Sequence, residues 1–463
     1  MWVGILLSLR QELMVTIIIF LLLFAKVGAT EYKTGVVLNW VNVLLLVNFA
    51  LGFFPLSDAT LFSGMFHTNR LIVLEKNMLN LGTLIISLQA YDWLKSHRQV
   101  PEFYMLLLAT LVGFFFMISA GNLLMFYLGL ELSTIPLAAL SSFDLEKRRS
   151  SESAMKFILS SAFSSALLLF GISLLYGATG TLGFDAIASR LDGSAFQLFA
   201  FILILSGFAF KVSAVPFHLW TADVYEGSPV AVTAYLSVVS KGAVFFVFVQ
   251  VLYTVFKPLA GNWYRILILL SVLSMVVGNL FALRQDSLKR LLAFSSIAQS
   301  GFILAGITGS SRAGEASVIY FILVYLFSNL GAFGVVSLIS AQTGKESVSD
   351  YKGLYTNNKL LSWVMAISLF SLAGIPPTAG FFAKYFIFFT AIHSGYTLLV
   401  LIAIVAALIG IYYYFRVIIA MYFKPEQQLV PIKVGTMHRI VLIITNILTL
   451  LFGLFPNLVL MWM

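Results

Sequence analysis

The stretch FKVSAVPFHLWTADVYEGSP, Phe210 to Pro229, decides how this chain folds. It closes a strongly apolar run of membrane-helix length that begins near residue 195, and Pro216 stands inside that run. Proline removes a backbone donor and clashes with the preceding turn. At membrane depth such irregular backbone survives only where protein or a water-filled cavity satisfies it. A second stretch has the same character: LAGIPPTAGFFAKY, Leu372 to Tyr385, carries Gly374 and Pro376–Pro377 at its break.

Working outward, the rest of the sequence supports a membrane setting. Hydrophobic residues make up 60% of the chain and charged residues 10%. Soluble domains carry about 25% charge, so no water-facing shell can be assembled to cover an all-round apolar core. A span needs about 20 mainly apolar residues. Candidate spans run 12–29, 36–54, 71–92, 103–119, 121–141, 153–177, 195–224 (broken), 229–255, 264–283, 289–309, 315–340, 359–393 (broken), 396–421 and 437–461. The expected fold is an all-α polytopic membrane protein of about fourteen transmembrane helices. The first run, Met14 to Ala29, has no small-residue cleavage site behind it and reads as the first span, not a signal peptide.

The formal charge of +9 does not point to nucleic acid, because the basic residues sit in short loops. Loops after odd-numbered spans hold sixteen: Lys26, Lys33, Lys95, Arg98, Lys147, Arg148, Arg149, Arg284, Lys289, Arg290, Lys345, Lys352, Lys359, Lys424, Lys433 and Arg439. The opposite side holds six: Arg10, Arg70, Arg190, Lys257, Arg265 and Arg312. That bias puts the Lys147–Arg149 loop in the cytoplasm and both termini outside. With no cysteine, disulfides, thiolate metal sites and iron–sulfur ligation are excluded. No phosphate-binding loop, dinucleotide fingerprint, metal-ligand cluster or nucleophile elbow is present.

The two breaks fall five spans apart, in the seventh and twelfth helices. Interrupted helices in matching positions of two halves indicate an internally repeated transporter core. Spans four to eight and nine to thirteen form the repeats, giving segments 1–102, 103–255, 256–425 and 426–463; spacing alone leaves parallel or inverted symmetry open.

What remains is a set of ionisable groups at membrane depth, which are costly there unless paired or hydrated. Glu131 lies inside the fifth span, in FYLGLELSTIP. Lys156 follows Glu152 by four residues on one helix face. It either snorkels to the interface beside that partner or turns inward toward Glu131. Lys211 stands five residues before Pro216, and Lys241 is about twelve residues into the eighth span, beyond the reach of snorkelling. Lys384 follows the second break, in an environment like that of Lys211. A lysine taken out of water can exchange protons near neutral pH, as a solvated one with a pKa near about 10.4 cannot. His218 offers a near-neutral relay group beside the first break, or a hydrogen bond to freed backbone. Arg416 is read as an interfacial residue, since guanidinium does not release its proton. His393 is read as an unremarkable interfacial residue. Ser160, Ser161, Ser164 and Ser165 read as a packing face, and Tyr325 and Asn329 as weak candidates for lining a hydrated path.

Taken in order, KVSAVPFHLWTADVYEGSP (Lys211–Pro229), YLSVVSKGAVF around Lys241, FYLGLELSTIPL around Glu131, LRQDSLKRLLAFSSIAQSG (Leu283–Gly301) and GIPPTAGFFAKY (Gly374–Tyr385) resemble the antiporter-like membrane subunits of respiratory complex I, the proton-pumping NADH:quinone oxidoreductase, and in particular its N subunit. The resemblance covers nearly the whole chain. It implies two inverted five-helix repeats, each with one broken helix. It also implies that Glu131 and Lys156 bias the charge on Lys211, that Lys241 links the halves, and that Lys384 exchanges protons in the second half. Lysine at 241 fits the N type, since the L and M types usually carry histidine near there. Lysine at 384 departs from the M type, which looks to have glutamate, and the chain ends without the lateral helix of the L type. The resemblance implies no cofactor in this chain: NADH, FMN, iron–sulfur clusters and quinone would be bound by other subunits. Partners would be other membrane-arm subunits, the M-type and K-type neighbours, in a bacterial inner (plasma) membrane. The competing readings are a subunit of a multisubunit sodium/proton antiporter, a subunit of a membrane hydrogenase or ferredoxin-driven complex, and a purely structural spacer.

Overall fold

The computed structural model describes residues 2–28, 33–54, 58–309, 311–423 and 432–461. Ala29, which ends the first expected span, and Lys424 of the charge count lie outside them, as does the side chain of Arg312. Among the described residues, twelve helices are long and apolar enough to cross a membrane. The expected count of fourteen is reached only by adding the two interrupted segments, whose pieces are each too short to qualify.

In chain order the membrane helices are α1 (Arg10–Gly28), α2 (Thr34–Leu51), α3 (Arg70–Gln89), α4 (Val100–Ile118), α5 (Leu123–Ser141), α6 (Arg148–Thr179), α7 (Ala195–Lys211) and α8 (Leu219–Gly227). There follow α9 (Val230–Thr254), α10 (Ala260–Ala282), α11 (Leu288–Ile307), α12 (Ser311–Thr343), α13 (Lys359–Ala373), α14 (Ala379–His393), α15 (Thr397–Tyr422) and α16 (Thr436–Leu454). Residues between α2 and α3 add an antiparallel hairpin, β1 (Ala59–Leu61) paired with β2 (Phe66–Thr68). Cap chemistry sets several boundaries. The side chains of Asn69, Asn122 and Asn358 accept from the backbone N–H groups of Ile72, Met125 and Leu361, which begin α3, α5 and α13.

The chain divides into two compact units. The first comprises Met1–Lys211, Gly227–Val232 and Val239–Ala260; the second comprises Val212–Glu226, Thr233–Val238 and Gly261–Met463. In the first, α4 packs closely on α5, and α6 on α7. Small residues permit the approach: a Cβ added to Gly113 would meet Ser133 N at 2.6 Å, and one added to Gly171 would meet Ala200 O at 2.8 Å. In the second, α12 is flanked by α13, α14 and α16. Helices α9, α11 and α12 are buried along nearly their whole length, whereas α1, α2, α6 and α15 show apolar residues outward. Exposed Phe163, Phe170, Leu401 and Leu408 are the surface that a bilayer covers.

Candidate functional site

Both sequence breaks are real interruptions, and each has its freed backbone satisfied by protein. After Lys211 the chain leaves helical geometry, with Ser213 at φ +60°. Val215 N donates to Ser274 Oγ on α10 at 2.9 Å, and Ser300 Oγ on α11 donates to Val212 O at 2.8 Å. Two serines therefore answer the backbone groups that the Pro216 interruption releases. At the second break Gly374 takes the left-handed conformation, φ +85°, that ends α13. Lys384 reaches back across this break and donates from Nζ to Leu372 O at 2.9 Å and Ala373 O at 2.8 Å. Its ammonium thereby sits at the negative end of the α13 dipole. Gln299 adds a donor to Leu372 O at 3.0 Å. A Cβ on Gly374 would lie 2.8 Å from Lys384 Cδ, so glycine there serves both the turn and the lysine.

Lys211 is the last residue of α7 and is buried; Nζ donates to Thr134 Oγ1 on α5 at 2.6 Å. Glu131 lies one turn before Thr134 on the same helix. Its Oε1 is enclosed without a hydrogen-bond partner among the described residues. Lys211 and Lys384 contact no carboxylate in an ion pair among the described residues; their acceptors are a hydroxyl and two backbone carbonyls. The Thr134 hydroxyl, whose own proton goes to Leu130 O at 2.7 Å, accepts from an ammonium or from an amine N–H, and so does a carbonyl. Both protonation states of each lysine can therefore be hydrogen-bonded in place.

Lys241 is 3% exposed, on the helix α9. A π-helical turn at Leu236–Ser240 immediately precedes it. Such turns recur at functional sites because the extra residue widens the helix and re-aims the next side chains. Nothing in the sequence marked this turn. Tyr325 shares a 3.2 Å hydrogen bond with Ser237 inside it. Tyr325, Gln299, Ser328, Ser371 and Lys384 line one small cavity of about 10 Å³. Asn329 Nδ2 donates back to Tyr325 O, within its own helix.

Other expectations sort differently. Lys156 forms a 2.8 Å ion pair with Glu152, with the lysine side chain 43% exposed, which is the snorkelling geometry and not the inward one. His218 is half-buried, and its Nδ1 has no hydrogen-bond partner among the described residues. Arg416 donates to Leu283 O and Gln285 O, covering carbonyls just past the end of α10. On the serine face, Ser160 and Ser161 bond carbonyls of their own helix, whereas the enclosed hydroxyls of Ser164 and Ser165 have no hydrogen-bond partner among the described residues.

Three ionic features were missed. Arg290 Nη1 bridges Asp223 at 2.8 Å and Glu226 at 3.0 Å, tying α11 to α8. Lys289 pairs with Glu346 at 3.3 Å. Glu12 and Lys76, 64 residues apart, form a buried ion pair between α1 and α3. The long-range pairings left no signal in the sequence, although Lys76, inside the expected span 71–92, carries the mark of a charge at membrane depth.

The profile of the family described as NADH:quinone oxidoreductase/Mrp antiporter, TM, matches residues 120–410, from the start of α5 through the core of α15. This chain is a member of that family. Among curated relatives of this NADH:quinone oxidoreductase/Mrp antiporter member, NADH-quinone oxidoreductase subunit N of Phocaeicola vulgatus is 47% identical over 391 residues, covering 83% of this chain and 82% of the relative. Subunit N of Azobacteroides pseudotrichonymphae is 41% identical over 451 residues, covering 95% and 94%. A chain of Thermus thermophilus respiratory complex I with bound aureothin superimposes with TM-score 0.82 at 29% identity, covering 97% of this chain and 98% of that one. The Mrp complex of Dietzia sp. gives TM-score 0.86 at 20% identity, covering 99% and 96%, which is a likeness of fold.

Proposed function

We propose that this chain is the N-type proton-translocating subunit of an NADH:quinone oxidoreductase, moving protons through buried lysines while other subunits carry the redox cofactors. The observation that carries this reading is the pair of buried lysines at the two helix breaks, each bonded to neutral acceptors that suit it charged or neutral. The curated relatives named as subunit N supply the redox context. Glu131 is the adjustable charge beside Lys211, and Lys241 and Lys384 are further exchange groups. His218, half-buried beside Pro216, is a relay to water, and Lys156, paired with Glu152, adjusts the field at the edge of the path.

The drive is electrostatic. At an effective dielectric near 20, unit charges about 6–8 Å apart interact by about 2–3 kcal/mol. That equals roughly two pKa units, enough to load or discharge a half-protonated lysine when a neighbouring charge changes. Water must reach the two sides in alternation, since a continuous wire would leak; the cavity beside Lys384, about 10 Å³, is at the lower limit for a single water. The reading includes two inverted five-helix repeats, 103–255 and 256–425, with both termini periplasmic in a bacterial plasma membrane and M-type and K-type neighbours. The sixteen-to-six loop charge bias supports that orientation.

The test is NADH-driven proton uptake by vesicles carrying Lys241→Ala in the assembled complex. The expected result is lost or strongly reduced uptake per NADH oxidised. Full uptake with intact assembly overturns the reading and favours a structural spacer. Sodium-dependent exchange without NADH favours an independent antiporter.

A further inference from the structure

The three N-terminal helices contain a polar column that the relay above does not use. It begins at the Glu12–Lys76 ion pair, whose partners are 2% and 1% exposed. Beside it Gln11 Nε2 donates to Asn77 Oδ1 at 2.8 Å. One turn along α3, Asn48 Nδ2 donates to Asn80 Oδ1 at 3.0 Å, and Asn80 Nδ2 donates to Leu45 O at 3.0 Å. Thr83 follows, then Ser87, whose hydroxyl meets Asn42 Oδ1 and Tyr104 Oη, each at 2.6 Å. All of these side chains are buried, and all belong to the first compact unit.

Residues 76, 80, 83 and 87 share one face of α3 and span eleven residues, about 16 Å, or about half of a 30 Å hydrocarbon layer. Steps between them are about 4.5–6 Å. A single bridging water covers about 5.6 Å with two ordinary hydrogen bonds. A polar adhesive between helices would satisfy its acceptors. Here Glu12 Oε2 and Asn48 Oδ1 are enclosed without partners among the described residues. A carboxylate or amide oxygen with no partner can accept a further hydrogen bond.

Charged and titratable groups on the elements around the pair are Arg10 of α1, Arg70 and Glu75 of α3, His67 of β2, and Lys241 and Tyr253 of α9, which also packs on α3; α2 supplies none. Arg10 is committed to Phe54 O at 2.7 Å, and His67 Nε2 contacts Gly64 O at 3.0 Å. Glu102 and Tyr104 of α4 stand toward the other end, where Glu102 pairs with Lys26 at 2.8 Å.

We propose that Glu12 and Lys76 form a second proton-binding site, served by the Asn80–Ser87 column and separate from the lysines at the helix breaks. Proton uptake converts the carboxylate to a carboxyl whose O–H is donated within the cluster, and release restores the ion pair. The site goes beyond the function proposed above and does not require it.

The test is infrared difference spectroscopy of the assembled protein in lipid, stepped from about pH 9 to about pH 5. A carboxyl C=O band that grows on acidification, shifts in D2O, is absent from Glu12→Gln and returns in Glu12→Asp supports the site. No Glu12-dependent band across that range in correctly assembled protein overturns it. Should Glu12→Gln fail to assemble, Asn80→Leu keeps the pair and interrupts the column. Hydrogen–deuterium exchange of the band is then expected to slow by at least about tenfold, and unchanged exchange overturns the column. The readout is a carboxyl vibration, so it stands or falls independently of NADH-driven pumping.

Discussion

Replacing Lys384 with methionine removes the ammonium while keeping an unbranched side chain of similar length. Two acceptors lose a donor, at 2.9 Å and 2.8 Å. They are not equivalent, because Leu372 O keeps its 3.0 Å bond from Gln299. Only Ala373 O is left without a side-chain donor, and one orphaned buried acceptor costs about 1–3 kcal/mol. The expected fall in Tm is therefore modest, on the order of 1–3 °C for a chain of 463 residues, and the protein assembles. Lys384→Arg keeps donors at the same place but does not release a proton. Vesicles carrying each variant, assayed for NADH-driven proton uptake per NADH oxidised, separate the two roles. If Lys384 exchanges protons, both variants lose uptake, and arginine restores Tm more than uptake. Wild-type uptake by the methionine variant refutes the exchange role. A collapse of assembly instead shows that capping α13 is the main task of Lys384.

The remaining predictions concern packing and a loop ion pair. Gly380→Ala would set a Cβ 1.7 Å from Ser371 O, a backbone atom. Overpacking between α13 and α14 then costs about 1–3 kcal/mol or more, and the loss of Tm should exceed that of Lys384→Met; an equal Tm would show that the helices separate freely. In the loops beside α4 and α5, His97 lies 3.5 Å from Asp144, which Lys147 also contacts at 2.9 Å. The Asp144 hydrogen bond raises the His97 pKa above its ordinary 6.5. Burial pushes Asp144 up, but its bonds from His97 and Lys147 hold it below 3.8 overall. The histidine contribution is complete below about pH 6.5 and is lost as pH rises through the raised value, while the aspartate contribution is lost only in strong acid. The Tm should fall between about pH 6 and about pH 8.5 by more in the native protein than in His97→Gln; parallel curves would exclude the pair as the cause.

Much of this molecule was legible in one dimension. Twenty-residue apolar runs are a local property, and the bilayer turns them into helices because a helix satisfies its backbone hydrogen bonds within a single segment. Pro216 and Gly374–Pro377 are equally local, since proline and a left-handed glycine end a helix whatever surrounds them. The cost of burying charge singled out Glu131, Lys211, Lys241 and Lys384 without a contact map. Partners were a different matter. That Lys211 meets Thr134, that Lys384 turns back to cap α13, and that Lys156 leans on Glu152 at the surface depend on rotamers and on which helix lies alongside. The π-helical turn before Lys241 and the Glu12–Lys76 pair were also invisible, the first because an extra residue in a helix leaves no compositional mark. The second joins residues 64 positions apart, and only the packing of α1 against α3 brings a carboxylate and an ammonium together out of water. Sequence determines which groups are too costly to bury alone; tertiary structure decides what keeps each of them company.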